Sequence, residues 1–145
     1  MATIEIKNAE RLIRKIPSRM DDLEIVNFLN QTELDSKYLL VIKLMSQMTD
    51  KLMANLLDIS ERRLRDFKSF KVNIERRSIK EKTVLLLTLL KHGRLVFGND
   101  ESFRTWLNRE NFTLGGQKPI SFLESNAGIN FIDDRLTGME YGDNL

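Results

Sequence analysis

The chain has 145 residues, 41% of them apolar, which allows one sizeable core or two small, closely packed ones. It contains no cysteine and one histidine, His92, which excludes disulfides, thiolate metal sites and histidine clusters, calls for no cofactor and points to the reducing cytoplasm. Net charge is only +2, yet nine Lys/Arg against three Asp/Glu fall between Arg62 and Lys82, and six against eight between Thr83 and Leu145, so the two halves are suited to different partners.

The first residues, Met1 to Ile16, mix Glu5 and Glu10 with Lys7, Arg11, Arg14 and Lys15 and lack the long apolar stretch of an export signal. The longest apolar run, Val84 to Leu90, is interrupted by Thr88 and is far shorter than the roughly 20 residues a membrane crossing requires. With prolines only at positions 17 and 119 and apolar residues recurring at helical spacing, the expected fold is all-α. Asp21 with Glu24 reads as a capping box that opens a helix with Leu23, Val26 and Leu29 facing inward. Ser36 reads as the cap of a helix to about Met48, with an apolar majority among Leu39, Leu40, Ile42, Lys43 and Met45. The stretch Tyr38 to Ile42 could pass for a strand by itself, and the length of the whole segment favours a helix.

From Thr49 to Ser69 the spacing is that of two short helices crossing steeply over a three-residue turn, a helix-turn-helix. Thr49 caps the first helix, Leu52, Met53, Leu56 and Leu57 form its inner face, and Ala54 is small where the second helix must approach. Asp58-Ile59-Ser60 make the turn, Ser60 caps the second helix, and Leu64 and Phe67 continue the buried stripe. Glu61, Arg62, Arg63, Arg65, Asp66, Lys68 and Ser69 are left facing outward. In such a motif the start of the second helix enters the major groove of operator DNA. Arg62 and Arg63 are candidates for pairing with guanine edges, while Arg65, Lys68 and Lys71 suit phosphates, and Ser60 completes the candidate DNA-binding set. The segment resembles the helix-turn-helix of Xre-like regulators in its Ala54, Ile59, Leu64 and Phe67 spacing. It departs from them at Asp58, where many carry a glycine because the turn residue takes a left-handed conformation. Two ordinary packed helices with a solvated basic face are the alternative.

The polar stretch Lys71 to Arg77 is the best boundary, dividing the chain into residues 1–77 and 78–145. Ser78 with Glu81 reads as a second capping box, opening a long central helix that stops at Gly98. Asn99 or Asp100 caps a short helix burying Phe103, Trp106 and Leu107. Ser125 starts a last helix with Ile129, Ile132 and Leu136 on one side, which Gly138 ends.

Several landmarks follow in a fixed order: Val96-Phe97-Gly98, Trp106-Leu107, Leu114-Gly115-Gly116 with Pro119 close behind, Gly128, and Glu140-Tyr141-Gly142. Singly each has a structural reading as turn, helix start or core filler. In this order the last third of the chain resembles the toxin-binding domain of the Xre/MbcA/ParS antitoxin family. It offers no nucleophile-base pair, and Gly115-Gly116 lacks the Lys-Ser/Thr of a phosphate loop, so a binding protein is expected and not an enzyme.

The resemblance implies an antitoxin whose partner is a RES-domain toxin, a class similar to ADP-ribosyltransferases that uses NAD. It also implies that the antitoxin C-terminus lies near the toxin's active-site entrance. Carried onto this chain, Tyr141, Gly142, Asp143, Asn144 and Leu145 form the segment that covers this entrance, flanked by Arg135 and Glu140. A site that binds a pyrophosphate is cationic, and Asp143 with the terminal carboxylate suits it by charge. Because one helix-turn-helix buries little surface, a homodimer on two half-sites is the expected DNA-binding form, alongside a toxin-antitoxin hetero-oligomer. A helix-turn-helix regulator with no toxin partner, or a purely structural interaction module, are the competing expectations.

Overall fold

Local capping chemistry sets most helix boundaries in the computed structural model, which describes residues 2–17, 21–69 and 73–142. Helix α1 (Ala2–Lys15) buries Ala9 and Ile13, with Ile16 just beyond it, and packs on α3. Helix α2 (Asp22–Gln31) starts as expected, with the Asp21 carboxylate accepting from the amides of Leu23 and Glu24 at 2.9 and 3.2 Å. Its inner face is Ile25 and Leu29, whereas Leu23 and Val26 are 68% and 43% exposed, which corrects the expected stripe. Both stripes are apolar, and only the docking of α2 on α6 selects one of them.

Helix α3 (Ser36–Ser46) is capped by Asp35, whose carboxylate accepts from Lys37 N–H at 2.9 Å, so Ser36 is the first helical residue and not the cap. Both are capping residue types, and an isolated bridge between Asp35 and Asn73 holds Asp35 in the extended conformation a cap needs. Tyr38, Leu39, Val41, Ile42 and Met45 are buried on α3. Next come α4 (Asp50–Leu57) and α5 (Glu61–Ser69). The chain then returns to the segment preceding α3, where Ile74 N–H donates to Leu34 C=O at 2.6 Å.

Helix α6 (Arg77–Phe97) begins one residue before Ser78, with no side chain capping it. The Ser78–Glu81 capping box is therefore a misreading: Ser78 already lies within the first turn, and the Arg76 carbonyl accepts the first helical amides, from Ile79 and Lys80. Every residue from Lys82 to Leu90 is buried, because α2, α3, α4, α7 and α8 all pack around α6. An amphipathic stripe would have sufficed for a surface helix; this run is buried all round, Lys82, Thr83 and Thr88 included, because it is the spine. It stops at Gly98, whose φ of +89° is the left-handed conformation glycine adopts without strain.

Helix α7 (Asp100–Leu107) is capped by Asn99, which accepts from Ser102 N–H at 2.8 Å, and buries Phe103 and Leu107. Two 3-10 turns, Phe112–Leu114 and Pro119–Phe122, lead to α8 (Asn126–Glu140), capped by Ser125 and burying Ile129, Ile132 and Leu136 as expected. Helix α8 does not stop at Gly138. The Tyr141 amide reaches back to the Thr137 and Gly138 carbonyls, and the left-handed residue is Gly142, at φ +89°.

The buried side chains form a single cluster running from Ala9 on α1 to Leu136 on α8. Polar ties fix the periphery to it. The Arg94 guanidinium grips Asp100 through two bonds of 2.8 Å and reaches Glu10 on α1 at 3.1 Å. Lys91 Nζ donates to Ile16 C=O at 2.8 Å, and Arg104 donates to the Met45 carbonyl near the end of α3 at 2.9 Å. Among the described residues no helix is long and apolar enough to cross a membrane.

Candidate functional site

Two surfaces gather the candidate residues. The first is the α4–α5 pair. Thr49 Oγ1 caps α4 by accepting from Leu52 N–H at 3.1 Å, and Asp58 ends it in the left-handed region at φ +56°, the conformation that makes glycine common at such a turn. The Ile59 amide closes the turn on Ala54 C=O at 3.0 Å, and Ser60 Oγ caps α5 by accepting from Arg63 N–H at 3.0 Å. Met53, Ala54, Leu56, Leu57, Leu64 and Phe67, the apolar positions of the sequence pattern, are buried on α4 and α5.

The outward residues are not equivalent. Arg62 and Arg65 are exposed, three apart and on one face of α5. The Arg63 guanidinium lies 4.7 Å from the centroid of the Phe67 ring, a cation-π contact that holds it against the helix. Lys68 is half-buried and is gripped by both oxygens of Asp50, at 2.9 and 3.1 Å, while Lys43 reaches the same carboxylate at 3.1 Å. Hydrogen bonds from Lys68 and then Lys43 hold the Asp50 carboxyl below the usual range. Lys68 thus ties α5 to the start of α4, a role its sequence position does not reveal. Lys71 lies outside the described residues.

The second surface is the end of α8. Tyr141 is 74% exposed and Gly142 is exposed beside it, while Asp143, Asn144 and Leu145 lie outside the described residues. The Arg135 guanidinium sits 5.1 Å from the centroid of Phe131, whose ring packs on Phe122 at 5.3 Å. Glu140 is bound to His92 Nε2 on α6, and the other ring nitrogen of His92 is 2.6 Å from Asp133 Oδ1. His92 is 1% exposed and Asp133 6%, so the last two turns of α8 are clasped to the spine through a buried imidazole. Burial opposes charging this imidazole, but its hydrogen bonds to the Asp133 and Glu140 carboxylates outweigh it and raise its pKa above the ordinary 6.5.

Sequence reasoning missed His92 and Asp133. The only available signal was a lone histidine continuing a buried apolar run, and its partners are 41 and 48 residues away.

The two surfaces are joined. Asn55 on α4 donates to Glu124 Oε1 at 3.0 Å, and the Lys82 ammonium, buried on α6, donates to the Glu124 carbonyl just before α8. Burial lowers the Lys82 pKa, with Glu124 and Asp58 opposing the effect. Helix α4 is thereby tied to the segment that launches α8.

Comparison with known families bears on the last third of the chain, where the ordered landmarks lie. No characterised protein matches the chain at a significant level. Residues 92–142 match the model of the antitoxin Xre/MbcA/ParS C-terminal toxin-binding domain, which begins at the clasp histidine and ends at the left-handed Gly142. The last third of the chain is thus similar to the toxin-binding domain of the Xre/MbcA/ParS antitoxins, over residues 92–142.

Proposed function

We propose that the protein is the antitoxin of a type II toxin-antitoxin system, acting by binding and not by catalysis. It neutralises a RES-type, NAD-using toxin by laying its C-terminal tail over the active-site entrance, and as a cytoplasmic homodimer it represses its own operon through α4 and α5. The observation that carries this reading is the presentation of Tyr141. An exposed aromatic stands at the end of a helix that His92 anchors to the core, inside the segment that matches a toxin-binding domain. A rigid, amphipathic side chain on a fixed mount suits an interface anchor, because little conformational freedom is lost when it binds. The test is coexpression with the neighbouring open reading frame. Wild type is expected to restore growth, whereas Tyr141→Ala is expected to weaken toxin binding by about tenfold to a hundredfold in a calorimetric titration, with an unchanged melting curve. Full protection by a chain carrying Tyr141→Ala and lacking residues 143–145 would remove the tail from the mechanism.

The DNA role rests on α5, where Arg62 and Arg65 share an outward face and Ser60 caps the entering end. Wild type is expected to bind its promoter with an affinity that falls steeply with salt, as phosphate contacts release counterions. Arg62→Ala is expected to weaken specific binding by about 1–3 kcal/mol if the side chain reads a guanine, and Arg65→Ala to reduce the salt slope by about one. Fluorescence anisotropy at several salt concentrations separates the two. Salt-independent or absent binding by wild type would leave the helix-turn-helix a structural element.

A further inference from the structure

The loop between α7 and α8 turns Phe112 outward, so that its ring is 97% exposed, the most exposed large apolar side chain among the described residues. The loop beneath it is rigid. Asn111 Oδ1 accepts from both the amide and the hydroxyl of Thr113, at 2.9 and 2.6 Å. The Asn111 carbonyl accepts from Gly116 N–H at 2.9 Å and its amide donates to Gln117 C=O at 3.0 Å, closing the turn on itself. Leu114 and Pro119 are buried below, and Gly115 and Gly116 supply the left-handed residues, at φ +69° and +82°, that fold the loop back. The Phe112 backbone takes part, its carbonyl accepting from Gly115 N–H at 3.2 Å, but its ring lies outside a turn made by Asn111 and the glycines and plugged by Leu114. Exposed Arg109, Glu110 and Lys118 flank it in sequence with charges of both signs, as the polar rim of an anchor does.

We propose that Phe112 is a second anchor for the toxin, entering an apolar pocket on that protein's surface at a place separate in sequence from the Tyr141 tail. The inference rests on the toxin-binding reading above. The occupant follows from position and size. Phe112 lies inside residues 92–142, the segment that matches a toxin-binding domain, so it extends the toxin interface proposed above. A single ring on a narrow loop is far smaller than the roughly 800 Å² per partner that a stable self-association needs, whereas added to an existing interface it acts as one hot spot. A preformed loop also binds with little ordering cost.

The test uses the full chain and the purified RES-type toxin from the adjacent gene, with Phe112→Ser and Phe112→Leu beside wild type, each checked for melting temperature and mass in solution. Phe112→Ser is expected to raise Kd by about tenfold or more, and Phe112→Leu to recover most of the loss, with folding and oligomeric state unchanged. Unaltered Kd in Phe112→Ser overturns the proposal. Loss of a dimer with unaltered Kd overturns it too, assigning the ring to self-association. Failure of wild type to bind the toxin at all removes the toxin reading itself, which separates that failure from the failure of Phe112 alone.

Discussion

Gly128→Ala is expected to destabilise the fold by about 3 kcal/mol or more, although alanine is intrinsically the better helix former by about 1 kcal/mol. Gly128 lies in the first turn of α8, and a Cβ built there would meet the Phe122 carbonyl oxygen at 1.7 Å and its carbon at 2.8 Å. These are backbone atoms of the 3-10 turn Pro119–Phe122, so no side-chain rotation relieves the contact. The turn must lift off α8, which pulls on Leu123 and Ile129, both fully buried. The steric term therefore outweighs helix propensity. Gly93→Ala is the informative comparison. Its Cβ would meet the Phe103 ring at 2.2 Å, but here the obstacle is a side chain, packed between Phe97 and Trp106 at centroid distances of 5.7 and 6.0 Å. Thermal melts of both variants should show a large loss in each, and a Gly128→Ala chain as stable as wild type would contradict the close approach on which the placement of α8 depends.

His92→Ala is expected to cost about 3–5 kcal/mol near neutral pH, because it leaves Asp133 buried without its partner and frees Glu140 from the spine. For a chain of this length that lowers the melting temperature by about 10 °C or more. The clasp also sets a pH dependence of definite sign. The folded-state pKa of His92 is raised above 6.5, so the clasp's contribution is fully present below pH 6.5 and is lost as pH rises through the folded value. Wild-type stability should accordingly decline on the alkaline side of about pH 6.5, and His92→Gln, which keeps hydrogen-bonding capacity without a titrating charge, should flatten that decline. Melting curves between pH 5.5 and 9 decide it: equal slopes for the two proteins would mean that the imidazole carries no net charge in the clasp. Because Glu140 precedes Tyr141 directly, loosening the clasp should also weaken toxin binding beyond the loss of fold stability.

Much of the frame was legible from local chemistry. Asp21, Thr49, Ser60, Asn99 and Ser125 each cap the helix expected of them, since a cap needs only a short polar side chain and the amides two or three residues ahead. Asp58 takes the left-handed position that its place in the turn requires, and the family landmarks from Phe97 to Gly142 are a property of order in the chain.

Tertiary structure decided what depends on distant neighbours. The apolar stripe of α2 that turns inward is the one meeting α6, Asp35 prevails over Ser36 as the cap of α3 while bridged to Asn73, and α8 passes through Gly138 to place Glu140 against His92. In the same way Lys68 belongs to Asp50, across from α5 to the start of α4, and is drawn away from the outward set that the motif spacing assigned it to. The composition and spacing of this chain determine that it is helical, where most of its helices begin and which toxin-binding domain its last third resembles. Its tertiary contacts determine which of several equivalent faces is buried and which charged groups are already paired, because burial and pairing are set by residues brought together only when the chain is folded.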